Sequence, residues 1–477
     1  MTAYAAIIPM MIVALSAIAA MLAEAIRRPG ERMPIAGFGL IGCAGSALAS
    51  YFLWNSDAQS FGVIRSDNFA LFINITLAII GVLTMLFSAD VVERQGIPAG
   101  EYYALTLFAL CGMMMMAAAT DLLVIFVALE ILSLAVYVLT GIRRASGAGA
   151  EAAFKYFLLG AFSSAFFLYG IAFAFALSGS TRLEQIGVAL SSQPSGAPPT
   201  LALLAVGLLA VGFAFKISAV PFHMWTPDAY EGAPTMVTAF MSTGVKAAAF
   251  AAFVRVFLSP LEPLQGHWMP VLSVIAAATM ILGAVVGVVQ SNVKRMLAYS
   301  SIAHAGYLML GIIAANGTGK AAVLFYLLTY AVANLGALGI VALLSTATHE
   351  HDELRDFAGL WRTRPALAGL MTVFLLSLGG FPPLAGFIGK WYIFSAAVQE
   401  GHYWLAIIGV LTSVVSVFFY LRIVVMMYMT EGTEVVRPRL PATAVAGLAF
   451  ATIAVFYMGI LPTRLLQLAL DSISTIF

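Results

Sequence analysis

The chain has 477 residues, of which 62% are apolar and only 9% are charged. Because about 25% of the residues in soluble domains are charged, this composition excludes an ordinary soluble protein and indicates a membrane protein. Lys and Arg number 23 against 22 Asp and Glu, and this balance gives no reason to expect nucleic acid as a partner.

Fourteen apolar runs are long enough to cross a bilayer, which takes about 20 mostly apolar residues as a helix. In chain order they are 4–26, 34–54, 69–89, 101–119, 121–141, 152–178, 200–222, 234–257, 269–289, 293–314, 320–346, 366–397, 402–428 and 441–461. The first run is longer than the apolar part of a signal peptide and follows no basic residue, so it is interpreted as a permanent helix. The tail 462–477 alternates Leu with polar residues and is expected to lie along the membrane surface. The predicted fold class is all-α, a polytopic membrane protein.

Basic residues in the loops predict the orientation of these spans, because Lys and Arg prefer cytoplasmic loops. The loops after odd-numbered spans hold Arg27, Arg28, Arg32, Arg94, Arg143, Arg144, Lys294, Arg295, Arg355, Arg362, Arg364, Arg437 and Arg439. The loops after even-numbered spans, with the tail, hold only Arg65, Arg182, Lys320 and Arg464. Both termini are therefore expected on the non-cytoplasmic side. The longest polar stretches, 179–199 and 347–365, are interpreted as linkers.

An internal repeat is indicated by residues 152–171 and 321–340, which share Ala-Ala, Leu-Leu and Gly-Ile in one register. The next span in each half is interrupted by proline, at Pro221 and at Pro382-Pro383, and each break lies close to a lysine. The two units start on opposite sides of the membrane, so they are predicted to be inverted repeats. Paired broken helices in inverted halves point to a transport site. The alternative is a packing kink without a function.

Ionisable residues inside the predicted spans need an explanation, because a charge at the bilayer centre costs at least about 2.5–3.5 kcal/mol. The basic ones are Lys155, Lys216, Lys246, Arg255, Lys390 and Arg422. Lys155, Arg255 and Arg422 lie near span ends, and for the two arginines we expect the side chain to extend to the interface. Lys246 and Glu130 lie well inside their spans and must face the protein interior, paired or hydrated.

These residue types suit proton transfer. Burial favours the neutral form of a lysine and a nearby carboxylate favours the charged form, so a small displacement between them loads or releases a proton. Glu130 with Lys216 would be such a switch, Lys246 could receive the proton next, and Lys390 could pass it on. His304 is a candidate relay. The alternatives are a structural ion pair for Glu130 and the lysines, and a satisfied polar contact for His304.

Three long motifs resemble those of the antiporter-like membrane subunits of respiratory complex I, and they are also similar to subunits of multisubunit sodium/proton antiporters. They are FKISAVPFHMWTPDAYEGAP at 215–234, SNVKRMLAYSSIAHAGY at 291–307 and GGFPPLAGFIGKWYIF at 379–394. The resemblance covers spans 4–13. It implies about 14 transmembrane helices with two inverted five-helix repeats and broken helices 7 and 12. The corresponding divisions are 1–100 for helices 1–3, 101–257 and 269–428 for the two repeats, and 441–477 for the last helix and tail.

The resemblance also implies roles for individual residues. Glu130 resembles the helix-5 glutamate of the family, Lys216 and Lys390 the lysines of the two broken helices, Lys246 the central helix-8 lysine, and His304 a polar position of the central axis. Lys155 is included among the candidates for proton translocation, and Pro221, Pro382 and Pro383 mark the helix breaks.

By this resemblance we expect a proton-translocating subunit of a redox-driven NADH:quinone oxidoreductase in the bacterial inner membrane. The alternative is a subunit of a secondary cation/proton antiporter without a redox partner, and a third possibility is a solute transporter acting alone. The cofactors NADH, FMN, iron–sulfur clusters and quinone are expected in partner subunits and not in this chain. Its two cysteines, Cys43 and Cys111, are too few and too far apart for a cluster motif. Other membrane subunits, including a neighbouring antiporter-like subunit, and lipids are the expected partners.

Overall fold

The computed structural model describes residues 4–28, 33–192, 198–346, 350–432 and 440–476, and it is almost entirely helical. The first ten helices are α1 (Ile8–Ile26), α2 (Ala36–Phe52), α3 (Asn68–Arg94), α4 (Ala99–Ala118), α5 (Leu122–Thr140), α6 (Gly147–Ser178), α7 (Leu183–Ser191), α8 (Thr200–Ile217), α9 (Trp225–Gly232) and α10 (Thr235–Phe240). The others are α11 (Lys246–Phe257), α12 (Gln265–Val288), α13 (Val293–Ala314), α14 (Gly317–Leu344), α15 (Leu360–Thr363), α16 (Pro365–Gly379), α17 (Ala385–Gln399), α18 (Tyr403–Met429), α19 (Ala442–Ile460) and α20 (Thr463–Ile473). Between α2 and α3, the short strands β1 (Ala58–Ser60) and β2 (Ile64–Ser66) pair antiparallel.

Twelve helical segments in the described ranges are long and apolar enough to cross a membrane. The shorter apolar helix α2, and α16 with its continuation α17, add two more candidates, which is compatible with the fourteen predicted spans. The polytopic all-α membrane fold is thus confirmed, whereas the exact number of spans, their orientation and the repeat boundaries stay predictions. Arg32, Arg437 and Arg439, which contributed to the predicted orientation, lie outside the described residues.

The predicted linkers contain more structure than expected. The stretch 179–199 includes α7, and the stretch 347–365 includes α15. A similar pair of backbone hydrogen bonds occurs once in each half of the chain. One pair joins the start of α5 to the linker after α6, and the other joins the start of α13 to the linker after α14. The bonds run from Leu122 N–H to Thr181 C=O (2.9 Å) and Leu183 N–H to Thr120 C=O (3.0 Å), and from Val293 N–H to Asp352 C=O (2.6 Å) and Leu354 N–H to Ser291 C=O (2.9 Å).

Both predicted helix breaks are present and have similar geometry. The backbone turns left-handed at Ser218 after α8 (φ 65°) and at Gly380 after α16 (φ 89°). At each turn the next N–H reaches five residues back, from Ala219 to Ala214 C=O (2.8 Å) and from Phe381 to Leu376 C=O (3.0 Å). Such a turn ends a helix and frees carbonyls from helical bonding. Cis peptide bonds follow at Val220–Pro221 and Pro382–Pro383.

Close packing of α12 against α13 depends on two glycines. A Cβ at Gly283 would lie 2.5 Å from the Ala303 nitrogen, and one at Gly306 would lie 2.5 Å from Met280 Cγ. Small residues let membrane helices approach closely, since apolar burial alone does not drive helices together in lipid. This contact fixes α13, the helix that carries His304.

Arg255 and Arg422, which were expected to extend to the interface, both reach acceptors at helix ends, and their position relative to the interface stays a prediction. Arg255 is 3% exposed, and its guanidinium makes two hydrogen bonds of 2.8 Å to the carboxylate of Asp67 and a third to Ala117 C=O (3.0 Å). Arg422 is partly buried and donates to two carbonyls at the end of α12 (3.0 and 3.1 Å). Both arginines are retained inside because the fold brings them an acceptor that is distant in sequence.

The buried pair of Asp67 and Arg255 makes a testable contribution to stability. Asp67→Asn leaves the guanidinium buried without a counter-charge, and removing one partner of a buried pair costs about 3–5 kcal/mol. We expect a lower thermal midpoint for loss of the chain from purified membranes. Asp57→Asn is the matched control, since Asp57 pairs with Arg65 in a partly exposed site (2.6 Å) where such pairs contribute about 0–1 kcal/mol. Equal effects of the two variants would contradict this assignment.

Candidate functional site

Four of the predicted site residues lie in the interior on four different helices. They are Lys216 on α8, Lys246 on α11, His304 on α13 and Lys390 on α17, and none is more than 4% exposed. We call these four residues the buried row. Buried polar groups need hydrogen-bond partners, so the partners of these side chains indicate what each can do.

Lys216 lies at the end of α8, just before the break. Its ammonium donates to Ser133 Oγ on α5 (2.7 Å) and lies 5.5 and 5.6 Å from the ring centres of Tyr137 and Tyr156. Trp225, the first residue of α9, stacks on Tyr156 with 4.2 Å between ring centres. The broken helix and α6 therefore enclose the lysine in an aromatic pocket in which its hydrogen-bond acceptor is a neutral hydroxyl.

Glu130 and Lys216 are predicted to interact directly or through one water, and the direct contact does not form. Glu130 is partly exposed, and its carboxylate accepts from Ser164 Oγ on α6 (2.5 Å). Ser133 lies one turn further along α5 and occupies the position next to the ammonium. A link between the two side chains through one water stays a prediction.

Lys246 follows a π-helical turn, Met241–Val245, that connects α10 to α11. Single π turns inside α-helices occur frequently at functional sites. The ammonium donates to the backbone carbonyl of Ser301 on α13, and the Ser301 hydroxyl accepts from Tyr330 on α14 (2.9 Å). No carboxylate among the described residues forms an ion pair with Lys246. A lysine that is 1% exposed thus has a neutral partner only.

His304 joins two tyrosines. Its Nδ1 lies 2.6 Å from the Tyr326 hydroxyl and its Nε2 lies 3.0 Å from the Tyr420 hydroxyl, which also bonds Ser300. In a neutral imidazole one nitrogen donates and the other accepts, whereas a hydroxyl does either. The arrangement therefore accommodates both tautomers and can exchange a proton between the α14 side and the α18 side.

Lys390 lies in the helix after the second break. Its ammonium donates to Gly379 C=O, a carbonyl at the end of α16 (3.0 Å), and to Ser413 Oγ on α18 (2.8 Å), and it lies 5.1 Å from the centre of the Tyr307 ring. A Cβ at Gly380 would meet the Lys390 side chain at 3.0 Å, so glycine leaves room for the lysine there. A cavity of about 320 Å³ between α17 and α18 adjoins Lys390.

Several buried tyrosine hydroxyls beside this row have no hydrogen-bond partner in the described parts of the chain. They belong to Tyr137 and Tyr156 next to Lys216, to Tyr230, and to Tyr307 between His304 and Lys390. An unsatisfied buried hydroxyl costs about 1–3 kcal/mol.

The structure does not bring Lys155 to the buried row. Its side chain is 45% exposed and pairs with Glu151 (2.8 Å) and Asp228 (2.9 Å) at one end of the bundle. Asp228 also pairs with Arg295 (2.8 Å). Burial acts to raise the pKa of Asp228, but the hydrogen bonds from Lys155 and Arg295 outweigh it and lower that pKa.

Sequence reasoning missed the buried cation Lys294, which it had counted as a loop residue. The Lys294 ammonium pairs with Glu350 and with Asp352 (3.2 Å), and Glu350 also accepts from Arg143 (2.6 Å) and from Thr235 Oγ (3.0 Å). The acidic run around 350–353 in a chain with few charges was the available signal. This network connects α5, α10 and α13 at one end of the bundle.

Comparison with known proteins gives a consistent result. A family model described as NADH:quinone oxidoreductase/Mrp antiporter, TM, matches residues 119–416. NADH-quinone oxidoreductase subunit N of Trichlorobacter lovleyi is 44% identical over 98% of this chain and 97% of its own length. A chain of respiratory complex I from Thermus thermophilus with bound aureothin is 36% identical, with a TM-score of 0.81 over 96% of this chain and 99% of that one. A chain of the Mrp complex from Dietzia sp. is 20% identical over 100% of this chain and 98% of that one, and its TM-score of 0.82 shows a shared fold only.

The contact of Lys216 with Ser133 makes a prediction about activity. Ser133→Ala removes the acceptor of the ammonium, and a hydrogen bond to a charged group contributes about 1.5–3 kcal/mol. We expect proton uptake into vesicles holding the assembled complex to fall by about tenfold. Thr140→Ala is the control, because Thr140 is buried on the same helix and bonds Val136 C=O and Met241 Sδ. Unchanged uptake in Ser133→Ala would show that this contact is dispensable.

Proposed function

The chain belongs to the family of NADH:quinone oxidoreductase and Mrp antiporter membrane subunits, and from this premise we propose that it is the proton-translocating subunit, of the N type, of a redox-driven NADH:quinone oxidoreductase. The subunit N relative covers nearly the whole chain at 44% identity, and the complex I chain matches in fold at 36%. For the alternative, a secondary antiporter subunit, the chain of the Mrp complex matches in fold alone, at 20% identity. The chain takes part in the enzyme as a subunit, and electron transfer through NADH, FMN, iron–sulfur clusters and quinone belongs to its partners.

The proposed mechanism rests on one observation: the lysines of the buried row have neutral hydrogen-bond acceptors. Lys216 bonds a serine hydroxyl, Lys246 a backbone carbonyl, and Lys390 a carbonyl and a serine hydroxyl. These acceptors serve an ammonium group, and a serine hydroxyl can also donate to a neutral amine. A lysine locked to a carboxylate would instead be held in its charged form. We propose that protons pass through Lys216, Lys246, His304 and Lys390 by changes in their charge states.

Water is the proposed carrier between these residues. The hydroxyls of Tyr137, Tyr156, Tyr230 and Tyr307 flank the row without partners, and buried polar groups of this kind commonly bond ordered water. The distance to be bridged between Lys246 and His304 is short. Lys246 bonds the Ser301 carbonyl on α13, the helix that also carries His304, and Tyr330 contacts both the Ser301 hydroxyl and the His304 ring. Glu130 is assigned the role of changing the charge state of Lys216 from nearby.

The position of Glu130 suggests a neighbouring subunit. A partly exposed carboxylate within an apolar helix is costly against lipid, so we propose that another membrane subunit covers it. A neighbouring antiporter-like subunit fits that position. The complex would lie in the bacterial inner membrane, with both termini of this chain on the non-cytoplasmic side.

Lys246→Arg distinguishes proton relay from a structural charge. Arginine supplies a permanent positive charge and keeps its proton, with a pKa above about 12 in proteins. If Lys246 alternates between charged and neutral forms, Lys246→Arg will assemble and pump as poorly as Lys246→Ala. The measurement is proton uptake into vesicles containing the purified complex, with NADH oxidation recorded in parallel.

A matched control is Arg255→Lys, which exchanges the same two residue types further along α11 in the pair with Asp67. Because that charge is assigned a structural role, Arg255→Lys should change assembly more than the ratio of protons to electrons. Near-normal pumping by Lys246→Arg would mean that titration at this position is not required.

A further inference from the structure

Asn334, which lies on α14 outside the buried row, has a hydrogen-bonding atom without a partner. The residue is 1% exposed. Its Nδ2 donates to Ser242 Oγ (2.7 Å), whereas its amide oxygen has no hydrogen-bond partner in the described parts of the chain. Buried polar atoms are almost always bonded, and ordered water serves those that no protein group reaches. The amide oxygen of Asn334 is therefore an acceptor for a donor that the fold itself does not supply.

Lys246 has spare donors in the same interior. An ammonium group carries three N–H donors. Among the described residues, the hydrogen-bond acceptor of the Lys246 ammonium is the Ser301 carbonyl alone. Because Lys246 is 1% exposed, its other N–H groups do not reach bulk water. They need an acceptor inside the protein.

The helices that carry Lys246 and Asn334 contact each other at two successive levels. At one level Asn334 bonds Ser242 (2.7 Å), and at the next Lys246 bonds Ser301, whose hydroxyl accepts from Tyr330 on α14 (2.9 Å). Ser242 precedes Lys246 by four residues, and Tyr330 precedes Asn334 by four. Residues four apart on a helix lie on one face with about 5–6 Å between their Cβ atoms. The side chains of Asn334 and Lys246 thus occupy adjacent levels of one buried interface.

Ser242 fixes the orientation of the Asn334 amide. Ser242 belongs to the π turn Met241–Val245, and its hydroxyl donates to Ala239 C=O (3.0 Å). With its proton used there, the hydroxyl accepts from Nδ2 of Asn334. The amide therefore presents its NH₂ group to the π turn and keeps its oxygen for another donor.

We propose that the amide oxygen of Asn334 binds a water molecule that also bonds the Lys246 ammonium. One water spans the distance between adjacent levels, since it bonds each group at about 2.8 Å. The water accepts from the ammonium and donates to the amide oxygen. When the proton has left, its second O–H donates to the neutral amine. Asn334 is thus a positioning residue that keeps Lys246 hydrated in both charge states, and this inference rests on the proposed proton route through Lys246.

The water itself is tested by electron cryo-microscopy of the complete complex, in a map that shows ordered waters at other buried sites. We expect a water peak about 2.6–3.2 Å from both Asn334 Oδ1 and Lys246 Nζ in the wild type, and no such peak in Asn334→Leu. A wild-type map without a water bonded to both atoms, or a peak that persists in Asn334→Leu, would overturn the proposal. This readout is separate from pumping. A complex that holds this water but oxidises NADH without proton uptake would refute the proposed function and leave the water site intact.

Asn334→Leu and Asn334→Ser separate water binding from a structural tie to the π turn. Both variants remove the amide that bonds Ser242, but serine keeps an oxygen acceptor and leaves room for water, whereas leucine fills the space with carbon. Proton uptake into vesicles holding the complex should fall about tenfold in Asn334→Leu, as for the loss of a hydrogen bond to a charged group, and less than about twofold in Asn334→Ser.

Thr329→Val is the matched control on α14. Thr329 is buried and bonds Tyr326 C=O (3.1 Å), so this exchange removes a hydroxyl of the same helix and should leave uptake unchanged. Equal losses in Asn334→Leu and Asn334→Ser would mean that the tie to Ser242 carries the effect, and would overturn the proposal. Normal uptake in Asn334→Leu would do the same. If Asn334→Leu does not assemble, the wild-type map decides alone.

Discussion

A lysine inside a membrane protein must be surrounded by groups that replace water, and this requirement organises the interior of the molecule. Free backbone acceptors are scarce within continuous helices, because their carbonyls bond the next turn. The break after α16 supplies one at Gly379 for Lys390. The break after α8 lets Trp225 stack on Tyr156 and close the pocket around Lys216. The interruptions in the helices thus accommodate Lys216 and Lys390, whereas Lys246 bonds the Ser301 carbonyl within the continuous helix α13.

Charges in the interior fall into two groups with different physical behaviour. Arg255 with Asp67, and Lys294 with Glu350 and Asp352, are paired with carboxylates near the ends of the bundle. Such pairs are costly to break and favour a fixed charge state. Lys216, Lys246 and Lys390 have neutral partners instead, so their proton can leave without breaking an ion pair. The ion-paired charges hold helices together, and the lysines with neutral partners are those of the proposed proton route.

The sequence predicted those features of this arrangement that depend on a short segment of the chain, and it did not predict contacts between distant residues. Helix breaks at Pro221 and Pro382-Pro383, and the depth of Lys246 in an apolar run, are properties of short segments, and they were predicted. The partners of Arg255 and Lys294 are distant in the chain, and no periodicity reveals which carboxylate the fold will bring to them. Glu130 and Lys216 were expected to interact, directly or through one water, because both are deep, and the direct contact does not form. The rotation of α5 places Ser133 there instead.

His304 is the point at which the account can be tested most directly, because its two ring nitrogens join the hydroxyls of Tyr326 and Tyr420 within the buried row. His304→Phe keeps an aromatic ring packed against Tyr307 and Tyr330 but removes both nitrogens. The measurement is the number of protons taken up per NADH oxidised by the assembled complex in vesicles. If protons pass along the row, the ratio should fall while the complex still assembles and oxidises NADH. An unchanged ratio in the fully assembled variant would contradict a continuous route through Lys246, His304 and Lys390.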